Sequence, residues 1–587
     1  MVKQYRPEAN RHDPFVAVSW ESTRVFKTGA QRSEKPVFIN KIPPCRQACP
    51  MGIDIPTAFH LASKGDIDGA LEVFLRENPL PGVCGRVCYH PCEAECNRGS
   101  FDEPVGVRSL ERFVSDHGTF DVAGDGASGS KKEQIAVIGS GPAGLSACYH
   151  LARFGYHVTL IEARAELGGM LRYGIPPYRL PRPILERELE RIMSLGVHAK
   201  VETTVGRDIS WEELQSFDAL FLSVGLQAAK SLPELNPPGP AMITGLDFLA
   251  DPGRWFLEDD SNKVLIIGGG NVAIDAARTL MRIRRGRGSN ITLVCPESRE
   301  HMPALPEEIE EALEEGVIIV NGWAPHRLHK DGGGPISLDF QRAEVRIGRQ
   351  TGNIEITTVG REVQSYPVDT IIVAIGQHLG TQSLPPGIDI DDGKIVTDRC
   401  GRASLPNVFT GGDAMGGRAF VADALADGKR GAVAISCLLE GKDMEEELQI
   451  SGIGQGLAVS TEHYRRGSET DTDALKAVVT YEHMNTLFFS ECTRRNPEHL
   501  MAEARVKSFD EVICGLEPSA MAEEVSRCFN CGTCIDCEMC LDFCPDLSII
   551  RDAESGIYRF DADYCKGCGV CSVACPRGVV EMAGETS

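Results

Sequence analysis

Residues 134–162, QIAVIGSGPAGLSACYHLARFGYHVTLIE, decide the fold. An apolar run, IAVI, leads into Gly139-Ser-Gly141-Pro142-Ala143-Gly144; an amphipathic LSACYHLARFG follows, and a second apolar run, HVTLI, stops at Glu162. Strand, Gly-rich turn, helix and strand in that order make a parallel α/β unit. Glycines at these positions permit a tight turn and close backbone approach, the helix N-terminus meets a pyrophosphate, and an acid ending the next strand accepts from ribose hydroxyls. A GxGxxG alone is weak, because any tight strand-to-helix turn can carry it; with strand, helix and acid in place it reads as a dinucleotide site. KVLIIGGGNVAIDAARTL (263–280) repeats the unit, with Gly268, Gly270 and Ala273 at the GxGxxA positions and Asn271 and Val272 between them. The expected fold class is α/β, with two Rossmann-like domains and one dinucleotide for each.

Working outward, 587 residues allow roughly four domains. Sixty Lys and Arg against 84 Asp and Glu give a net charge of −24, which excludes bulk attraction to nucleic acid or anionic lipid, so no nucleic-acid partner is expected. The N-terminal MVKQYRPEANRHDPF has no apolar signal core, and nowhere is there an apolar run of about 18 residues, so neither secretion nor a membrane span is expected and the setting reads as cytoplasmic. In that reducing setting, clustered cysteines read as metal ligands. Of 22 cysteines, six fall between Cys45 and Cys96 and ten between Cys528 and Cys575.

The C-terminal block contains Cys534-x2-Cys537-x2-Cys540-x3-Cys544-Pro and Cys565-x2-Cys568-x2-Cys571-x3-Cys575-Pro. This is the doubled spacing of a two-cluster ferredoxin, in which three cysteines of one run and the fourth of the other hold each [4Fe-4S] cluster. The expected sets are Cys534, Cys537, Cys540 and Cys575, and Cys565, Cys568, Cys571 and Cys544. A zinc ribbon would not need two matching runs each ending in Pro. Cys528 and Cys531, upstream, receive no role. The N-terminal block offers Cys45, Cys49, Cys84, Cys88, Cys92 and Cys96, the last four spaced i,i+4 and on one face if helical. Six thiolates complete one cluster and leave a second open. Cys148, Cys295, Cys400, Cys437, Cys492 and Cys514 are isolated and read as packing residues, and the lack of a CxxC beside the first Gly-rich unit disfavours disulfide reduction.

Further segments carry a family resemblance. LPNVFTGGDA, with Gly412 and Asp413, looks like the second flavin motif of the flavoproteins with two dinucleotide-binding domains; FDALFLSVG and DTIIVAIG look like their connecting strands. GGMLRYGIPPYRLPRPIL (168–185), HMPALPEEIEEALEEGV (301–317), CRQACP and GRVCYHPCEAEC resemble the small subunit of glutamate synthase and its iron–sulfur flavoprotein relatives, over about residues 35–445. The resemblance implies FAD held by Gly139, Gly141, Pro142, Ala143, Gly144, Glu162, Gly169, Gly412 and Asp413, a nicotinamide nucleotide held by the second unit, and one or two N-terminal [4Fe-4S] clusters besides the two C-terminal ones. The expected organisation is an arm (1–40), a helical Fe–S domain (41–125), an FAD domain in two parts (133–243 and 377–445) around an inserted NAD domain (244–376), a connecting segment (446–525) and a ferredoxin-like domain (526–587). A Gly/Ser-rich linker, DVAGDGASGSKK, closes the helical domain.

In NADPH-using relatives an Arg pair ends the second strand of the nicotinamide domain; here Pro296 and Glu297 stand there. An acid suits the free ribose hydroxyls of NAD and repels a 2′-phosphate, so NADH is expected over NADPH, with Arg299 and the RIRRGRG loop as the cations that could oppose this. A flavin between a two-electron nicotinamide and one-electron clusters implies an oxidoreductase that exchanges electrons, in either direction, with a redox protein. No side chain stands out as a general acid or base, and the catalytic residues are left unassigned. The architecture also resembles the flavoprotein that accompanies dissimilatory sulfite reductase, which makes that reductase one candidate partner; assembly as a homodimer is left open. A dihydropyrimidine-dehydrogenase-like reductase lacks the roughly 250 residues of a catalytic barrel. The rival reading is an electron-transfer subunit of a larger complex without turnover of its own.

Overall fold

A computed structural model describes residues 27–120, 130–232, 242–255, 259, 261–288, 290–329, 336–347, 354–417, 419–466, 477–552, 556 and 558–585. Most of the linker, residues 1–26 of the arm and residues 467–476 of the connecting segment lie outside them. The chain forms two compact units, one of residues 42–481 and 491–530, the other of residues 1–41, 482–490 and 531–587.

In the larger unit the opening motif folds as strand Gln134–Ile138, helix Pro142–Arg153 and strand His157–Ile161. The first strand is the centre of a parallel five-stranded sheet in the order Val408–Thr410, Ala219–Leu222, Gln134–Ile138, His157–Ile161, His198–Lys200. Ile135 stands opposite Val158 on one side and Ala219 on the other. Helix Pro142–Arg153 is buried along nearly its whole length against helix Val421–Glu440. Their close crossing depends on Gly428, where a Cβ would stand 2.0 Å from the Ala143 carbonyl oxygen.

The second Gly-rich unit lies in another parallel sheet, ordered Ile318–Asn321, Ile291–Cys295, Val264–Ile267, Thr370–Val373, Met242–Thr244. An antiparallel sheet of Trp323–His329, Ser337–Ile347 and Ile354–Pro367 packs Trp323, Leu338 and Phe340 against Leu265, Ile267 and Val373 of it. Chain entry to and exit from this inserted domain use the short pair Ala228–Ala229 and Gln377–His378.

The N-terminal cysteines sit among short helices, Ile55–Ser63, Ile67–Glu77, Pro81–Val87 and Val107–His117. Cys84, Cys88, Cys92 and Cys96 do not share a helical face. The helix carrying Cys84 stops at Val87, His90 turns left-handed (φ 44°), and Pro91, which has no amide hydrogen to continue a helix, starts the next one.

The smaller unit holds the C-terminal cysteine runs, with strand Ile549–Arg551 against Tyr558–Phe560. Within the stretch expected as an arm, Glu34–Phe38 pairs antiparallel with Val580–Gly584, Pro36 opposite Met582. Proline tolerates that place because this is an edge strand. Among the described residues no helix is long and apolar enough to cross a membrane.

Candidate redox site

A cleft of about 900 Å³ in the larger unit is lined by both Gly-rich loops: Gly139–Ala143 with Gly169, Gly412 and Asp413 from the first sheet, and Gly270–Val272 from the second. The glycines have separate tasks. Gly139 has φ 99°, and a Cβ there would meet the Ser223 carbonyl oxygen at 2.4 Å; a Cβ at Gly144 would meet the Gly139 oxygen at 2.0 Å; one at Gly141 would meet nothing, so the backbone is open to a ligand. Pro142 occupies the first helical turn, where its missing amide hydrogen costs nothing. The second loop repeats the plan: Gly268 has φ 136° with the Ala374 oxygen at 2.2 Å, Gly270 faces open space and Ala273 is fully buried. These contours fit two dinucleotides, with pyrophosphates against open loop backbone and helix N-termini.

Glu162 is buried, and its Oε2 accepts from the Ser140 amide (2.9 Å) and hydroxyl (2.6 Å), while Oε1 accepts from the Arg164 amide. The acid thus braces the loop as well as facing the cleft. Ser140, which the sequence reading passed over between two glycines, also accepts from Gly168 N–H beside Gly169. Asp413 lies in the short 3₁₀ turn Gly412–Met415, and burial raises its pKa. The backbone oxygen of Glu297 accepts from Asn321 Nδ2 and Gly322 N–H. Its side chain is 7% exposed, Oε2 has no hydrogen-bond partner among the described residues, and a Cβ on Gly269 would stand 2.8 Å from that oxygen. Burial raises the Glu297 pKa. Arg299 turns to Glu310 at 2.8 Å, and Asn271 Oδ1 accepts from Leu305 N–H.

None of residues 172–182, RYGIPPYRLPR, is exposed. Tyr178 is fully buried, Arg179 reaches Asp275 (2.7 Å) and Glu308 (2.8 Å), and Arg182 donates to the carbonyls of Leu171, Arg172 and Ile175, beneath the cleft wall at Met170 and Tyr173. No local sequence signal identifies those partners, which come from the other domain. On the opposite wall Val87 lines the cleft, and Tyr89 stacks on Phe420 with centroids 4.2 Å apart, so both neighbours of Cys88 touch the cleft or its lining. No cysteine lines the cleft among the described residues.

In the smaller unit Cys544, Cys565, Cys568 and Cys571 surround one small cavity. Burial, then the neighbouring Cys575, Cys534, Cys537 and Cys571, push the Cys540 thiol up to about 12. In the larger unit burial raises the thiols of Cys49, Cys84, Cys88, Cys92 and Cys96. Held as thiolates at this depth, they would need metal to offset their charge. Glu111, missed in the sequence, is buried in reach of Cys84 and Cys88; burial lifts its carboxyl to about 8. Among the described residues no three His, Cys, Asp or Glu side chains converge as they would on one ion. Cluster thiolates each meet a different iron and need not converge.

Residues 133–428 match the family described as pyridine nucleotide-disulphide oxidoreductase, residues 24–121 the dihydropyrimidine dehydrogenase domain II, 4Fe-4S cluster, and residues 533–579 the 4Fe-4S dicluster domain. The NADP(+)-dependent formate dehydrogenase subunit beta of Moorella thermoacetica is 34% identical, over 83% of this chain and 70% of its own length. The glutamate synthase (NADPH) small chain of Escherichia coli is 30% identical, over 68% and 89%. The NAD-dependent dihydropyrimidine dehydrogenase subunit PreT of Escherichia coli is 32% identical, over 68% and 91%. The chain therefore belongs to the pyridine nucleotide-disulphide oxidoreductase family, among the glutamate synthase small-subunit-like iron–sulfur flavoproteins, and is an NAD(P)H-dependent oxidoreductase.

Proposed function

We propose that the chain moves electrons between NADH and a redox protein partner, using FAD in the first Gly-rich unit and [4Fe-4S] clusters in both cysteine blocks. The carrying observation is the single cleft onto which both loops open. Bound there, FAD supplies the step between paired and single electrons. The chain's own residues position it: Gly141 admits the pyrophosphate on a turn that Gly139 and Gly144 keep tight, Glu162 and Asp413 face its hydroxyl-bearing parts, and Gly169 and Gly412 keep the wall free of side chains. Cys45, Cys49, Cys84, Cys88, Cys92 and Cys96, and the eight cysteines of the two ferredoxin runs, serve as the pool of iron ligands. The domain boundaries stated from sequence remain our working division.

NADH is preferred over NADPH, on the strength of the buried, unpartnered Glu297 oxygen beside Gly269. Relatives of both kinds are known, since the formate dehydrogenase subunit and glutamate synthase chain are named for NADP and PreT for NAD. The isolated holoprotein should reduce an artificial dye with NADH at multiple turnovers; absence of turnover would favour the second reading, a subunit active only in a complex, which the relatives named as subunits support. For the partner, dissimilatory sulfite reductase is the candidate that the architecture suggests, and recovery of a sirohaem protein with the tagged chain from its native host tests it. Light scattering of the holoprotein tests for a homodimer.

A further inference from the structure

Arg179 joins the two dinucleotide domains at the cleft itself. It lines the cleft together with Gly169, Met170, Tyr173 and Ile175 of the same segment, on the wall that belongs to the first Gly-rich unit. Its guanidinium forks: Nη1 donates to Asp275 Oδ2 at 2.7 Å, and Nε lies 2.8 Å from Glu308 Oε1. Asp275 belongs to helix Asn271–Ile283, one turn on from Asn271, where the second Gly-rich loop lines the cleft. Glu308 belongs to helix Pro306–Glu314, and Leu305 just before it also lines the cleft and donates its amide to Asn271 Oδ1 at 2.9 Å. One side chain of the first domain therefore grips the N-terminal turns of two helices of the inserted domain, both of which begin at the cleft. A planar guanidinium suits such a grip, because its donors are fixed in direction and can hold two carboxylates at once.

Both acceptors are themselves held. The hydroxyl of fully buried Tyr178 donates to Asp275 Oδ1 at 3.3 Å, and Arg278 pairs with Glu308 at 2.6 Å. Helix Pro306–Glu314 is further tied by Arg108 of helix Val107–His117 to Glu307, and by Arg505 of the connecting segment to Glu314, each at 2.7 Å. The inserted domain is thus fastened to three other parts of the larger unit, with Arg179 as a tie that lies at the cleft. Hydride transfer needs the reacting atoms in near contact, and a misplacement of about 1 Å can cost about 100-fold in rate. We propose that Arg179 is a positioning residue for this step: through Asp275 and Glu308 it fixes the nucleotide-binding domain so that a bound nicotinamide meets the flavin. Two carboxylates already neutralise the guanidinium, which makes it a weak site for a nucleotide phosphate, so its effect falls on the rate of transfer and not on affinity. The inference rests on the reading that both dinucleotides share this cleft.

R179M, R179K and D275N are compared with the parent as anaerobically purified holoproteins, using the nicotinamide nucleotide that reduces the parent faster. Stopped-flow bleaching of the flavin gives the limiting rate of reduction, and its dependence on nucleotide concentration gives the apparent Kd. In R179M the limiting rate should fall about tenfold or more while the apparent Kd and the FAD content stay within about twofold of the parent. D275N should lose rate in the same way, and R179K, which keeps the charge but not the fork, should recover part of it. An unchanged limiting rate in R179M, or a loss of affinity at an unchanged rate, overturns the assignment. Where R179M fails to hold FAD, R179K and D275N decide by the same two outcomes. A parent whose flavin is reduced by neither nucleotide overturns the wider reading of the cleft.

Discussion

Replacing Glu297 by Gln should invert the nucleotide preference. The carboxylate is 7% exposed, its Oε2 has no hydrogen-bond partner among the described residues, and it adjoins Gly269; under the proposed NADH preference the ribose hydroxyls of a bound nucleotide would be its donors. A hydrogen bond to a charged group contributes about 1.5–3 kcal/mol, and the neutral amide loses most of it. At about 1.4 kcal/mol per decade, kcat/KM for NADH should fall roughly 10- to 150-fold. For NADPH the same change removes a like charge beside the 2′-phosphate, worth about 1–4 kcal/mol at 4 Å between the water and protein-surface limits, so its kcat/KM should rise. Glu297→Arg should push the ratio further, by pairing with the phosphate. The assay is steady-state dye reduction with each nucleotide, with FAD content and circular dichroism as folding controls. An unchanged NADH to NADPH ratio in E297Q, or a parent enzyme that already prefers NADPH, would refute the reasoning.

Gly139→Ala should abolish FAD retention, since its Cβ would press on the Ser223 carbonyl at φ 99°; flavin per chain after gel filtration measures this. Lys429→Met should cost about 3–5 kcal/mol of stability, because it strands the Glu77 carboxylate 2.9 Å away in the interior; the thermal midpoint should fall, and adding Glu77→Gln should restore part of it. For Glu311, burial raises the pKa but is outweighed by His499, Arg278 and Arg505, which bring it to about 2 from an ordinary 4.5. The fold therefore favours its ionised form, a contribution of about 3 kcal/mol present above about pH 4.5 and lost as pH falls through about 2. Glu311→Gln should flatten that limb of the urea-unfolding profile.

Local pattern made the two dinucleotide units legible. Strand, glycines, helix and terminal acid lie within about 30 residues of one another, and the conformation each requires is written in the residue itself. Glu297 could be singled out for the same reason, standing at a fixed place after a recognisable strand, and the E297Q ratio decides its role. The ferredoxin sets could be grouped because their spacing is periodic. What escaped depends on distant partners: Glu34–Phe38 looks irregular until Val580–Gly584 pairs with it, and Arg179 looks like surface charge until Asp275 and Glu308 enclose it. The four-residue spacing from Cys84 to Cys96 suggested a helical face, and Pro91 following a left-handed His90 breaks it.

Anaerobic titration of the holoprotein with NADH, followed in the visible spectrum, tests the central claim most directly. The account predicts that the flavin band bleaches and that the broad absorbance of the iron–sulfur clusters falls with it, without any partner present. Bleaching of the flavin alone, or no response to NADH, would contradict a continuous route from nicotinamide through the cleft to the clusters.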